Sequence, residues 1–186
     1  PARARPERTV RSTTGRPADV ADPGGAGGAA EPAWWARVVV VSDGVAEGTR
    51  EDRSGPALRE ALERAGAGVD GTQVCADGAE AVAEVLHHVT RGFAGLVVTA
   101  GGTGFGPRDL TPEGTRRVLE REAPGLAEAT RLVNPLGRLS RGVAGTVDRA
   151  LVLNLPGSPR GAVECLEAVL DVVPHALALL PGHRPH

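Results

Sequence analysis

The chain has 186 residues and a formal net charge of −2, and all of its basic residues other than histidine are arginine. Without lysine it cannot form a lysine-containing phosphate loop or a Schiff-base intermediate. With 2% aromatic residues and no apolar run near the roughly 20 residues of a membrane span, we expect neither nucleic-acid nor membrane binding.

The N-terminal segment, residues 1–33, is rich in proline, glycine and arginine and has no apolar period. This composition predicts a disordered arm, followed by a single folded domain over residues 34–186. The two cysteines, Cys75 and Cys165, lie in different predicted elements and do not make a disulfide framework. Cysteine usage therefore favours a cytoplasmic protein.

Apolar runs and helix start signals alternate along this domain. We predict strands over residues 37–42, 69–75, 95–99, 143–147 and 150–154. We predict helices over residues 54–65, 77–91, from Thr111, 126–134 and 161–173, with a kink or restart at Pro174. The alternation indicates a three-layer α/β/α sandwich with a mostly parallel central sheet. Such sheets bind ligands at the carboxyl ends of their strands, so the loops after the strands are the candidate site.

The loop after the third predicted strand is mostly glycine and contains Gly101, Gly102, Thr103 and Gly104. Its glycines allow backbone amides to approach an anion closely. The loop fits neither the dinucleotide fingerprint nor the lysine-containing phosphate loop. A merely flexible turn is the alternative interpretation.

A helix start follows this loop, with Thr111 as the expected cap and Glu113 near the positive end of the helix dipole. Arg108 and Asp109 precede it, where a phosphate or a metal ion could sit. Arg108 could equally pair in the neighbourhood of Asp109.

Three carboxylates follow three predicted strands: Asp43, Asp77 and Asp109. If they converge on one edge of the sheet, they would suit a divalent cation that also binds phosphates. Asp77 could instead cap a helix together with Glu80 in a capping box. Asp109 could instead be a turn-forming residue.

Two further polar segments are candidate anion sites. Pro156, Gly157 and Ser158 follow the last predicted strand and lead into a helix, so they could hold an anion or simply cap that helix. Arg141, after Ser140, could form a bidentate fork for a phosphate or lie on the surface. No Ser-His-Asp set is recognisable in the sequence.

Five segments, in this order, resemble the molybdopterin adenylyltransferase family, which includes bacterial MogA and MoaB and matching domains of plant and animal cofactor-synthesis proteins. The segments are Val41-Ser-Asp43 with Asp52-x-Ser-Gly-Pro56, Asp77, Thr99-Ala-Gly-Gly-Thr-Gly104 with Arg108-Asp-Leu-Thr-Pro-Glu113, Leu139-Ser-Arg141 with Gly145, and Leu155-Pro-Gly-Ser-Pro159. The resemblance covers residues 37–180. Ala100 and Gly114 depart from the usual family residues.

The resemblance implies Mg²⁺-dependent adenylylation of molybdopterin by ATP, which yields adenylyl-molybdopterin and pyrophosphate. It also implies a cytoplasmic homotrimer in molybdenum cofactor biosynthesis that contacts other enzymes of that pathway. By position, Asp77 and Asp109 match the family's two important acids, and residues 101–104 match its nucleotide loop. Ser140, Arg141 and residues 156–158 match contacts to pterin or nucleotide. A non-catalytic binding paralogue or scaffold is the alternative function.

Overall fold

The computed structural model describes residues 31–181. Residues 1–30 of the predicted arm lie outside this range, and residues 31–33 precede the first strand without regular secondary structure. The division of the chain into residues 1–33 and 34–186 therefore stays a prediction.

Helices and strands alternate along most of the described chain. In order they are β1 (Trp34–Val41), α1 (Asp43–Ala46), α2 (Ser54–Arg64), β2 (Ala67–Cys75), α3 (Ala79–Thr90), β3 (Gly95–Ala100), α4 (Thr111–Arg116), β4 (Arg121–Glu122), α5 (Pro124–Leu132), a 3₁₀ helix (Pro135–Leu139), β5 (Ala144–Val147), β6 (Ala150–Leu155), α6 (Pro159–Glu167) and α7 (Val173–Leu179). None of the helices within residues 31–181 is long and apolar enough to cross a bilayer.

The strands form one six-stranded sheet in the order β2-β1-β3-β6-β5-β4. Neighbouring strands among β2, β1, β3 and β6 pair in parallel, whereas β5 and β4 add antiparallel pairings at one edge. At the other edge, the register skips Asp70 and leaves a bulge in β2. The predicted turn at Asp148 joins β5 to β6, where Asp148 has a φ of 50°.

The core lies on both faces of this sheet because β1 alternates its side chains between them. Val38 and Val40 belong to a buried cluster with residues of α2, α5, α6 and α7. Val39 and Val41 belong to a second cluster, which includes residues of α3 and Val118, just after α4. These two helical layers confirm the predicted α/β/α sandwich.

A buried polar network ties three elements together beneath the carboxyl edge of the sheet. Asn154, which is 2% exposed, donates to the hydroxyls of Thr99 and Thr115, each at 3.0 Å. Its side-chain oxygen accepts from the Val143 amide at 3.2 Å. Since buried polar groups are costly when unpaired, this network fixes the ends of β3 and β6 relative to α4.

The structure differs from the predicted elements mainly where the apolar pattern is weak. The last helical region breaks after Glu167 rather than at Pro174, although Pro174 does lie in the first turn of the restarted helix α7. β4 was not predicted, because two exposed charged residues carry no apolar alternation. β1 begins three residues earlier than predicted and includes both tryptophans.

Candidate functional site

A cleft of about 600 Å³ opens at the carboxyl ends of the parallel strands. Six of the predicted site residues line it: Asp77, Asp109, Gly101, Gly102, Gly157 and Ser158. The fold therefore brings two acids from different loops together with the glycine-rich loops that follow β3 and β6.

The first turn of the loop after β3 requires glycine for two separate reasons. Gly101 and Gly102 have φ angles of 117° and 62°, which L side chains rarely adopt. A Cβ on Gly101 would lie 2.2 Å from the Val41 carbonyl oxygen, and one on Gly102 would lie 2.3 Å from Thr111 Oγ1. The absence of side chains thus lets this loop pack directly on β1 and α4.

The two glycine loops touch and leave backbone donors unused. A Cβ on Gly157 would lie 3.2 Å from the Gly101 Cα. The amides of Gly102, Gly157 and Ser158 have no hydrogen-bond acceptor among residues 31–181. Ser158 precedes α6, yet its side chain makes no capping hydrogen bond. Clustered, unpaired amides of this kind are suited to an anion.

Asp77 lies at the cleft but does not cap a helix. Its Oδ2 accepts from the Asp43 amide at 2.9 Å, and its Oδ1 lies 3.4 Å from the position that a Cβ on Gly102 would occupy. Gly78 is the N-cap of α3, without a side-chain hydrogen bond, and Glu80 pairs with Arg117. The predicted capping box is therefore wrong, because the Asp77 carboxylate instead accepts from the amide of Asp43, the first residue of α1.

Asp109 contributes to the shape of its own loop. Its Oδ2 accepts from the Gly106 amide at 2.7 Å, which agrees with the turn-forming interpretation. This hydrogen bond uses one carboxylate oxygen, and the side chain also lines the cleft. The structural and the ligand-binding interpretation of Asp109 are therefore compatible.

Arg108, in the loop after β3, forms a bidentate ion pair with Asp43 at the start of α1. Arg108 Nε and Nη2 donate to the two Asp43 oxygens at 2.7 and 2.9 Å, and Nη2 also donates to the Asp77 carbonyl at 2.8 Å. The Arg108 hydrogen bond holds the pKa of the Asp43 carboxyl below its usual range. Arg108 thus pairs with Asp43, a partner that the sequence did not indicate, and Asp43 has both oxygens occupied.

The expected cluster of three carboxylates around one cation is absent from residues 31–181, where no three His, Cys, Asp or Glu side chains are arranged to hold a metal ion. The reason is the commitment of Asp43 to Arg108. Asp77 and Asp109 are left as the acids of the predicted set that line the cleft.

Arg141 does not line this cleft, but it is hydrogen-bonded to the glycine-rich loop after β3. Its guanidinium donates to the carbonyls of Gly104 and Asp109 and to the carboxylate of Glu113. Its amide donates to the carbonyl of Thr103 at 2.9 Å. The sequence left Arg141 open between a phosphate fork and a surface position, and in the structure its guanidinium is instead engaged by the loop and by Glu113.

A second cavity, of about 320 Å³, is lined by Ser140 and Arg141 together with Arg116 and Arg131. Ser140 and Arg141 therefore line a different cavity from Asp77 and Asp109, although the Arg141 guanidinium contacts the Asp109 carbonyl. Pro156 is half-buried at the start of the loop after β6.

The Glu113–Arg141 pair is expected to contribute to stability in a pH-dependent way. Burial is the largest single effect and would raise the pKa of the Glu113 carboxyl, but the hydrogen bond from Arg141, a backbone hydrogen bond and the charges of Arg141 and Arg116 together hold that pKa below its usual range. Because the folded-state pKa is depressed, the stabilisation is present above the usual glutamate pKa of about 4.3 and is lost as the pH falls further.

Glu113→Gln should therefore lower the free energy of unfolding by about 1 kcal/mol at pH 7, and the variant and wild type should converge in acid. Denaturant unfolding at several pH values measures this difference. Glu80→Gln is the control, because its partner Arg117 is more exposed than Arg141, and it should change stability less. A constant difference across the acid range would contradict the assignment.

Thr111 does not cap α4 as predicted. It is the first residue of that helix, Leu110 is the N-cap, and no side-chain capping hydrogen bond forms. The Thr111 hydroxyl is buried without a hydrogen-bond partner and lies against Gly102. An unpaired buried hydroxyl behind the loop is a polar group that a bound ligand or water could satisfy.

The sequence did not identify one whole wall of the cleft. This wall is the segment between α1 and α2, which contributes Arg50, Glu51, Asp52 and Arg53, together with Ser54 at the start of α2. The Asp52 carboxylate accepts from the Gly55 amide at 2.9 Å and so begins α2. The only signal was the motif Asp52-x-Ser-Gly-Pro56, to which no role had been assigned.

Cys75, at the end of β2, is close in sequence to Asp77 but is not an activated nucleophile. Burial raises the pKa of its thiol to about 11, and the charge of Asp77 acts in the same direction. At neutral pH it is a protonated thiol, and only the thiolate is the effective nucleophile.

Residues 37–175 match a family model described as a probable molybdopterin binding domain. Over 153 residues, the chain is 35% identical to the molybdopterin adenylyltransferase of Helicobacter pylori, and the match covers 78% of this chain and 87% of that protein. It is 36% identical to the Drosophila melanogaster molybdenum cofactor synthesis protein cinnamon over 152 residues, but there it spans only 25% of the relative's length.

Solved structures show the same fold. The molybdopterin biosynthesis enzyme MoaB of Thermus thermophilus superposes with a TM-score of 0.75 at 46% identity, covering 81% of this chain and 98% of that one. The molybdopterin biosynthesis Mog protein of Mycobacterium ulcerans superposes with a TM-score of 0.73 at 39% identity, covering 79% and 99%.

Proposed function

This chain belongs to the molybdopterin-binding domain family of molybdenum cofactor biosynthesis, and on that premise we propose that it is a molybdopterin adenylyltransferase. The reaction would join the AMP portion of ATP to the terminal phosphate of molybdopterin and release pyrophosphate. The Helicobacter relative that carries this name matches over most of its own length.

One observation carries the proposal: two acids and two loops with unpaired amides line the same cleft. Both reactants are anions, so an enzyme must first hold them together against their repulsion. Oriented amides at Gly102, Gly157 and Ser158 supply donors for phosphate oxygens without any rearrangement of the backbone. Val45 and Pro159 add apolar surface to the same cleft, which suits a base.

A magnesium ion fits this site. Mg²⁺ prefers oxygen ligands and is usually bound through one or two carboxylates together with substrate phosphates. Asp77 and Asp109 provide two carboxylates at the cleft, and the unpaired Thr111 hydroxyl lies behind the loop. When bound, the ion would neutralise phosphate charge. We propose Asp77 and Asp109 as its protein ligands, with Asp43 acting through its contacts to Asp77 and Arg108.

The chemistry needs no covalent intermediate on the protein. An oxygen of the pterin phosphate attacks the α-phosphorus of ATP, the bond from that phosphorus to the β-phosphate oxygen breaks, and pyrophosphate leaves with the electron pair. No cysteine or histidine of residues 31–181 lines the cleft, and the thiol of Cys75, close in sequence to Asp77, is protonated at neutral pH. The protein's contribution would therefore be positioning and electrostatic stabilisation.

The second cavity is a candidate for the pterin end of the substrate. We propose that Ser140 contacts the pterin there, while Arg141 and Glu113 act indirectly by holding the glycine loop. Thr103 and Gly104 take part through the loop backbone, to which Arg141 is bonded.

The deciding experiment is incubation of the protein with ATP, Mg²⁺ and molybdopterin, with mass detection of the adduct and of pyrophosphate. The proposal expects adenylyl-molybdopterin and pyrophosphate in equal amounts. AMP without an adduct would indicate a hydrolase instead. Binding of both substrates without any product would indicate a non-catalytic paralogue or scaffold.

We also propose that the protein is a homotrimer and acts in the cytoplasm alongside other enzymes of the pathway. Three leucines of α5 and the following 3₁₀ helix are 56–77% exposed in the single chain: Leu132, Leu136 and Leu139. Exposed apolar surface of this kind marks interaction sites, so it supports self-association. Light scattering coupled to size-exclusion chromatography measures the mass, and a monomer would contradict the trimer.

A further inference from the structure

Arg50 stands out among the arginines that the site brings together. The two arginines with the clearest sequence case for phosphate binding are both committed: Arg108 to Asp43, and Arg141 to Glu113 and two loop carbonyls. Neither of them lines the main cleft, whose lining arginines are Arg50 and Arg53. Arg53 pairs with Glu51 at 3.1 Å.

Arg50 has no carboxylate partner among residues 31–181, in contrast to the other three. The cleft otherwise carries an excess of negative charge, because four carboxylates line it: Glu51, Asp52, Asp77 and Asp109. A nucleoside triphosphate entering this cleft would be repelled unless cations offset that charge. Arg50 is the cleft cation whose charge is not already neutralised by an ion pair.

The backbone of Arg50 is held in place by hydrogen bonds that converge on one carbonyl. The amides of Thr49 and Arg50 donate to the Gly44 carbonyl at 2.9 and 2.8 Å, and the Thr49 hydroxyl donates to it at 3.1 Å. The Arg50 Cβ and Cδ lie 3.1 and 3.7 Å from the position that a Cβ on Gly44 would occupy. The stem of Arg50 therefore packs on α1, the helix that begins at Asp43.

We propose that Arg50 binds the polyphosphate chain of the nucleotide. This inference rests on the proposed function and adds a specific cation to it. Its guanidinium would pair with phosphate oxygens while the glycine-loop amides bind others, since arginine forms bidentate pairs with phosphate. Because Arg50 is exposed at the wall of the cleft, it can engage the ligand without breaking an existing ion pair.

The test is calorimetric binding of Mg·ATP and of inorganic pyrophosphate to the full chain and three variants. Arg50→Gln should weaken both ligands about tenfold, in the range expected for a hydrogen bond to a charged group. Arg50→Lys should restore part of the affinity, because it restores the charge. Arg64→Gln, which changes an exposed arginine of α2 that pairs with Glu167 and does not line the cleft, should bind as wild type.

Salt dependence and turnover provide the second readout. The difference between wild type and Arg50→Gln should shrink as the salt concentration rises, because the contact is exposed. In the adenylylation assay the KM for ATP should rise with kcat nearly unchanged, as expected for a group that binds substrate. Equal affinity of wild type and Arg50→Gln would overturn the role of Arg50. Failure of the wild type itself to bind ATP would instead overturn the proposed function.

Discussion

Replacing Asp109 or Asp77 by asparagine should lower the rate of adenylylation by roughly 100-fold or more, as expected when a ligand of the ion that stabilises developing phosphate charge is lost. Each acid lines the cleft, and each has one carboxylate oxygen that accepts a backbone hydrogen bond. Asparagine keeps a side-chain oxygen for that bond but loses the negative charge that a magnesium ion needs. Single-turnover rates of pyrophosphate release measure the effect.

The asparagine variants should remain folded, because the amide side chain can still accept from Asp43 or from Gly106. Asp70→Asn is the matched control. Asp70 lies on the outer strand β2, forms an ion pair with Arg37 and does not line the cleft. That variant should turn over as wild type. Near-normal adenylylation by both Asp77→Asn and Asp109→Asn would eliminate the metal-binding role.

Replacing Gly101 by alanine should lower the free energy of unfolding by about 2–6 kcal/mol. About 1–3 kcal/mol is expected for a side chain at a strained φ, and a similar amount for steric overlap in a packed site. The overlap is with the carbonyl oxygen of Val41, a backbone atom that cannot rotate away. Denaturant unfolding with a two-state fit measures the change.

Gly78→Ala separates the two contributions. Gly78 has a φ of 124°, close to the 117° of Gly101, but nothing lies within 4 Å of its added Cβ. The Gly78→Ala variant should therefore lower the free energy of unfolding only by the conformational strain at that φ. If both alanine variants were equally destabilised, the close approach of Gly101 to β1 would contribute nothing, and the packing argument would be wrong.

The sequence was sufficient to predict the sandwich and the edge of the sheet where the cleft lies. The apolar runs of β1, β3 and β6 are continuous because those strands are covered on both faces, and this signal is hard to mistake. The topology then places the ends of parallel strands together, so Asp77, Asp109 and the glycine loop could be assigned to one edge.

The partners of the charged side chains could not be predicted in the same way. Arg108 and Asp43 are 65 residues apart, and Arg141 and Glu113 are 28 apart, so no local pattern connects them. Two predictions of helix caps were wrong for a related reason. Asp77 and Thr111 look like caps by their spacing, but contacts to Asp43 and Gly102 from other elements determine their positions.

The two outer strands of the sheet differ from its interior in a way that affects solution behaviour. β4 has two residues, both charged and exposed, and the bulge at Asp70 interrupts the regular edge of β2. Short, charged or irregular edges are poor templates for a strand from another molecule. We therefore expect the protein to resist edge-to-edge aggregation during folding, even though its central strands are among the most apolar segments of the chain.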